Sequence, residues 1–113
     1  MFKVTKKAIS ESPEFIMGID WTADYKPMTI DLQPVESRDF ETAMHEAEKT
    51  LAANIGKVWC ISLYRKTGKV EDDCMIYRES ITLWDRGGYP YWTMDPEQHE
   101  TCKYMLQWNE ACW

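Results

Sequence analysis

The sequence predicts an α+β domain, with a mostly antiparallel sheet of five to six strands and two amphipathic helices on one face, in the order βββαβββα. Several short segments alternate apolar and polar residues, which is typical of half-buried strands. Two longer segments repeat apolar residues at spacings of three and four, which is typical of amphipathic helices. The length of 113 residues fits one domain spanning residues 1–113.

The first part of the chain predicts three short strands. Residues 2–4 indicate an opening strand that ends at the turn-forming residues 10–13. Apolar side chains occupy alternate positions of 15–21, which predicts a half-buried strand. The alternation returns in 28–32, so we expect a second strand there that pairs with the first as a hairpin. Pro34 is expected to close this group.

The clearest helical periodicity lies between residues 40 and 55. Its apolar residues recur every three or four positions: Phe40, Ala43, Met44, Ala47, Leu51 and Ile55. Ser37 or Asp39 can serve as the N-cap, because a side-chain oxygen there accepts a backbone N–H that the helix leaves unpaired. Gly56 is a natural C-terminal stop, because glycine adopts a positive φ at little cost.

A central strand is predicted at residues 58–64, which are apolar at both odd and even positions. Such a strand is covered on both faces. Residues 66–69 then predict a turn in which Gly68 supplies the positive φ. The acidic residues 71–73 are expected to form a polar loop tip.

The following segment predicts a hairpin. Residues 74–85 fit either one long bent strand or two short ones. Residues 86–88 contain the only adjacent glycines of the chain and predict a turn into a last strand at 89–93. Pro90 has no N–H and cannot donate a hydrogen bond to a neighbouring strand. We therefore expect this last strand at a sheet edge, where it has a neighbour on one side only.

A second helix is predicted to begin at Asp95 and to continue to the C-terminus. Asp95 would be the N-cap, Pro96 the first helical residue, and Gln98 would reach back to the cap. Cys102, Met105, Leu106, Cys112 and Trp113 would form its apolar face, with His99 at the margin.

Composition and charge exclude several classes of protein. The chain is 44% hydrophobic and 28% charged, which excludes a chain disordered by composition. A net charge of −6 argues against direct binding of nucleic acid. No segment has the apolar length of a signal sequence or of a membrane span, so we expect a cytoplasmic location and no membrane partner. The four cysteines lack a CxxC pair and are expected to be reduced.

The candidates for chemistry are the cysteines and histidines. A nucleophile with a base could be drawn from Cys60, Cys74, Cys102 or Cys112 with His45 or His99, but no local signature surrounds them. His99 and Cys102 would share one helix face and could contact one metal ion, if further ligands joined them. Cysteines on apolar faces more often act as small hydrophobic residues. We therefore predict no catalytic residue, metal or cofactor.

The segment 84–92 stands out because four of its nine residues are aromatic. The predicted binding surface is formed by Trp84, Arg86, Tyr89, Tyr91 and Trp92. Amphipathic rings near an edge strand suit contact surfaces, because they bring large area with few rotatable bonds. In the alternative interpretation, one set of rings packs beneath a helix and the other set shields the sheet edge.

The resulting hypothesis is a small non-catalytic interaction module that binds a protein partner, or itself as a homodimer, through this aromatic hairpin. The acidity supports an alternative, in which the protein is a decoy or inhibitor that binds a basic, nucleic-acid-binding protein. A third interpretation is a small enzyme with a Cys/His site. The motifs found are capping and turn signals, which unrelated folds share.

Overall fold

The computed structural model describes residues 12–21, 31–72, 74–93 and 101–105. These residues form an α+β fold that combines an antiparallel sheet with one helix. In chain order the elements are β1 (Phe15–Trp21), β2 (Asp31–Val35), α1 (Phe40–Ala53), β3 (Val58–Glu71), β4 (Cys74–Arg86), β5 (Tyr89–Thr93) and β6 (Thr101–Met105). No helix among the described residues is long and apolar enough to cross a membrane.

The sheet is built around the long strands β3 and β4. The strand order is β2-β1-β3-β4-β5, and β6 pairs with β4 outside this path. Every described pairing is antiparallel. β5 pairs with the last five residues of β4 and β6 with the first five, so both lie on the same side of β4 at opposite ends.

Helix α1 packs on one face of the sheet. Asp39 is its N-cap, because its side chain accepts a hydrogen bond from the Thr42 backbone N–H at 3.1 Å. The buried side of the helix consists of Ala43, Ala47 and Leu51. They join one apolar cluster with strand residues Phe15, Met17, Ile19, Val35, Val58, Ile61, Leu63, Ile81 and Leu83.

A second apolar cluster lies on the opposite face of the sheet. It consists of Ile16, Tyr64, Met75 and Tyr77, with Val70 packed against it. Because neighbouring residues of a strand project to opposite faces, Ile16 belongs to this cluster while Phe15 and Met17 belong to the first. β1 is thus buried on both faces over its first five residues. The prediction of a half-buried strand here was wrong.

The helix covers only part of the sheet. α1 and β3 have 14 residues each, but 14 residues span about 21 Å in a helix and about 46 Å in a strand. The helix begins beside Phe15, whose ring centroid lies 5.8 Å from that of Phe40. Phe15 pairs with Arg65 in the ladder. The part of β3 beyond Arg65 therefore extends past the start of the helix.

The predicted second helix was wrong over the residues that the structure describes. Residues 101–105 form β6 and pair with residues 74–78 of β4. Two strands, instead of three, precede the helix in the described part of the chain, so the order βββαβββα is not matched. The predicted opening strand at 2–4 and the predicted helix start at 95–98 lie outside the described residues, as does most of the segment 28–32.

Smaller differences concern strand ends. Pro34 lies within β2, where it pairs with Ile16, and does not end the hairpin. Residues 66–69, predicted as a turn, belong to β3, where Gly68 has a φ of 85°. Between two ladder pairs, three residues of β3 lie opposite the single residue Ile76. The strand therefore bulges here, and the chain does not reverse direction. Of the two alternatives for residues 74–85, a single strand with an irregular register is observed.

Candidate interaction surface

The β4–β5 hairpin places the predicted surface at one end of the sheet. Arg86 and Tyr89 form the last ladder pair, so the loop between them has only two residues. Gly87 and Gly88 have φ values of 64° and 90°. Positive φ at both central residues is the signature of a type I′ turn, whose twist matches that of the flanking strands. The two glycines therefore fix the register of the rings that follow.

This register divides the five predicted residues between two faces. Directly opposed residues of an antiparallel pair project to the same face. Trp84 faces Tyr91, and Arg86 and Tyr89, two positions further along each strand, share that face. Trp92 pairs with Leu83, which belongs to the cluster beneath α1. Four residues thus lie on the face away from the helix, and Trp92 lies on the helix side.

Trp92 joins the hairpin to the helix. Its ring packs against the apolar cluster beneath α1. Its indole N–H donates a hydrogen bond to the Glu48 carboxylate at 3.0 Å. The other carboxylate oxygen of Glu48 lies 3.3 Å from Nδ1 of His45. Trp92 therefore stabilises the position of β5, while the rings on the other face remain available for contact.

Trp84 is partly buried and is held by a polar network. Its indole N–H donates to the Thr93 hydroxyl at 2.7 Å. Thr93 in turn donates to the backbone carbonyl of Thr82 at 3.4 Å. The Thr82 hydroxyl also lies 3.1 Å from that of Ser62, and both donate to the Glu79 carboxylate. This network orients the Trp84 ring at the inner margin of the hairpin.

The outer rings are open to solvent. Tyr89 is 79% exposed and Tyr91 is 37% exposed. The Arg86 guanidinium carbon lies 5.5 Å from the centroid of the Tyr91 ring, within the range of a cation–π contact. This contact favours a defined orientation of Tyr91 and Arg86 side by side.

Two further apolar side chains lie at the same end. Trp59 is 54% exposed, although its strand was predicted to be covered on both faces, and Ile55 is 50% exposed beyond the end of α1. Trp59 precedes Cys60, which pairs with Trp84. Ile55 precedes Gly56, whose N–H donates to the Asp85 carboxylate at 3.2 Å. Both residues are therefore level with the hairpin.

We call Ile55, Trp59, Arg86, Tyr89 and Tyr91 the hairpin-end surface. Of the five large apolar side chains that are exposed in the described part of the chain, four belong to it; the fifth is Leu32 on β2. Sequence reasoning missed Trp59 because alternation assigns it to a strand face. The β1–β3 register is interrupted at this point, and Val58 occupies the buried position beside Trp21.

Asp85 connects the two segments of the hairpin-end surface. Its carboxylate accepts the N–H of Gly56 at 3.2 Å and the N–H of Gly88 at 2.9 Å. Hydrogen bonds to a charged acceptor are stronger than neutral ones, but both contacts are solvent-exposed. We expect Asp85→Ala to lower the free energy of unfolding by about 1–2 kcal/mol. Urea denaturation measures this loss.

Glu46→Ala is the matched control for this substitution, because it removes the same charge from an exposed position of α1. It should change the free energy of unfolding by less than about 0.5 kcal/mol. Faster hydrogen exchange at the amides of Gly56 and Gly88 should accompany the loss in Asp85→Ala. Equal stability of the two variants would contradict the connecting role of Asp85.

The candidate catalytic and metal-binding residues are spread over the molecule. His45 lies on the exposed side of α1. Cys60 pairs with Trp84 near the hairpin end, and Cys74 pairs with Glu71 at the other end of β3, roughly 35 Å away at the rise of a strand. Cys102 belongs to β6. His99 and Cys112 lie outside the described residues, within which no three His, Cys, Asp or Glu side chains are grouped to hold a metal ion.

Comparison of the chain with protein-family models, with curated proteins and with solved structures finds no match. At the hairpin end of the described structure, Tyr89 and Tyr91 are exposed on the face away from α1, and Trp59 and Ile55 are exposed level with them.

Proposed function

We propose that this domain is a protein-binding module whose contact surface is the hairpin-end surface. The observation that carries the proposal is the concentration of exposed apolar side chains at one end of the described structure. Scattered single apolar residues are ordinary on protein surfaces, whereas grouped ones mark interaction sites. Tyrosine and tryptophan are also enriched in the cores of protein interfaces.

The sheet edge at β5 favours binding through side chains over binding by strand addition. In a two-residue hairpin the flanking residues, Arg86 and Tyr89, exchange the first pair of ladder hydrogen bonds. The backbone groups of Pro90 and Trp92 then point outward from the edge. Pro90 has no N–H, so Trp92 supplies the only outward donor of this strand. A partner strand would find an incomplete ladder.

The charges near the rings indicate the chemistry of the partner. Lys57, which follows Ile55 and Gly56, is exposed, and Arg86 is exposed above Tyr91. Neither side chain forms an ion pair with a described residue. A protein face with apolar side chains at its centre and carboxylates at its rim would complement this surface, because rim charges steer association and set orientation.

Paired variants test the proposal. The double variant Trp59→Ala/Tyr89→Ala removes two exposed rings, and Leu32→Ala removes an exposed apolar side chain elsewhere. Affinity capture from source cells, followed by titration calorimetry with the purified partner, should show binding by the wild type and by Leu32→Ala. The double variant should bind at least tenfold more weakly, because interface aromatic residues carry much of the binding energy. Equal binding by all three proteins would refute the proposal.

The same variants separate the alternative partners. Sedimentation velocity at high protein concentration reports a homodimer, and its loss in the double variant would identify a second copy of the chain as the partner. The acidic-decoy alternative predicts salt-sensitive binding that ring truncation leaves unchanged.

A further inference from the structure

The far end of the β3–β4 ladder holds a depression on the side of the sheet that carries α1. It has a volume of about 480 Å³ and is lined by Thr67, Lys69, Glu71, Ile76 and Arg78. Its position follows from the length mismatch described above, since these strand residues lie beyond the start of the helix. Its volume is within the range of small-molecule sites.

Two arginines face each other across the strands at the margin of this depression. Arg65 and Arg78 are direct ladder partners, and like charges at such positions are unfavourable. Arg65 is compensated, because its Nε lies 3.7 Å from Glu14 and its guanidinium carbon lies 5.6 Å from the centroid of the Phe15 ring. Arg78 forms no ion pair with any described residue. Its side chain is exposed at the wall of the depression, where it can meet an external anion.

The bulge in β3 places Lys69 in the lining of the same depression as Arg78. The Thr67 hydroxyl donates to the backbone carbonyl of Ile76 at 2.7 Å and accepts the backbone N–H of Lys69 at 3.2 Å. These two bonds close the bulge around Gly68, whose φ is 85°. Within the described residues, the Lys69 ammonium also lacks an ion pair. Two cations thus border a depression whose floor includes one apolar side chain.

We propose that this depression binds a small phosphate-bearing ligand with hydroxyl groups, such as a sugar phosphate. The Arg78 guanidinium presents paired donors that match phosphate oxygens, and Lys69 adds a second positive charge. Ile76 offers an apolar contact for a carbon skeleton. The Glu71 carboxylate disfavours a purely anionic ligand and can accept hydrogen bonds from hydroxyl groups. The site lies at the opposite end of β3 from the hairpin-end surface.

An NMR titration at constant ionic strength tests this proposal. Hexose 6-phosphate, inorganic phosphate and the free hexose are added separately to the ¹⁵N-labelled protein. Hexose 6-phosphate should shift the amides of residues 67–69 and of Arg78 along a saturating curve. Inorganic phosphate should shift the same amides at higher concentration, and the free hexose should shift none of them. Equal affinity for the two phosphates would overturn the requirement for hydroxyl groups.

Charge-matched variants complete the test. Arg78→Gln should weaken the binding of hexose 6-phosphate at least tenfold, whereas Lys49→Gln, on the exposed side of α1, should leave it unchanged. Arg78→Gln also removes the repulsion with Arg65, so its Tm should rise by about 1–4 °C. This rise shows that the variant is folded. Equal weakening by both variants, or amide shifts spread over the whole surface, would overturn the proposal.

Discussion

Phe15→Ala should lower the free energy of unfolding by about 3–5 kcal/mol, because it removes a fully buried ring from the cluster beneath α1. The ring contacts Phe40 in the first turn of the helix and lies under the Arg65 guanidinium. Its loss leaves a cavity where helix, β1 and β3 meet. Native domains are stable by only about 5–15 kcal/mol, so this single change removes a large part of the total.

Urea denaturation followed by circular dichroism measures this effect. Tyr89→Ala is the control, because it truncates an aromatic ring that is 79% exposed. It should change the free energy of unfolding by less than about 0.5 kcal/mol. A loss below about 1.5 kcal/mol for Phe15→Ala would contradict the packing described for the start of the helix.

Tyr77→Ala should also cost about 3–5 kcal/mol, although Tyr77 lies on the face of the sheet away from the helix. The side chain is fully buried among Ile16, Tyr64 and Met75. Its hydroxyl donates a hydrogen bond to the backbone carbonyl of Pro13. The substitution therefore removes a fully buried ring of the second cluster together with a contact to the segment that precedes β1.

Tyr77→Phe separates the ring from the hydroxyl. It keeps the packing of the ring and removes the hydrogen bond to the Pro13 carbonyl, so we expect a loss of about 1 kcal/mol. Thermal and urea unfolding of the two variants give the comparison. If the alanine variant were no less stable than the phenylalanine variant, packing of the Tyr77 ring in the second cluster would not contribute to the free energy of unfolding.

The sequence predicts most reliably the elements whose signals are local. The apolar spacing of residues 40–55 and the Asp39 cap predict α1 to within two residues of its observed end. The adjacent Gly87 and Gly88 predict the hairpin turn, and Pro90 predicts an edge strand, as β5 is among the strands that the structure describes. Each of these signals lies within the segment that it predicts, so no distant contact is needed to interpret it.

Other predictions fail where distant contacts decide. Residues 101–105 have helical spacing from Cys102 to Met105, but they also alternate polar and apolar side chains, and pairing with β4 selects the strand. Gly68 fits a turn as well as a bulge. The exposure of Trp59 depends on a register interruption between β1 and β3. These outcomes depend on which segments pair, and the local sequence does not contain that information.

The cap at Asp39 has a consequence beyond helix stability. Because this cap starts α1 level with Phe15, it determines how much of that side of the sheet the helix covers. One additional helical turn before Phe40 would advance the helix by about 5.4 Å and begin to roof the bulge at Thr67. On the α1 side of the sheet, the Asp39–Thr42 hydrogen bond therefore lies where the area covered by the helix ends and the charged depression begins.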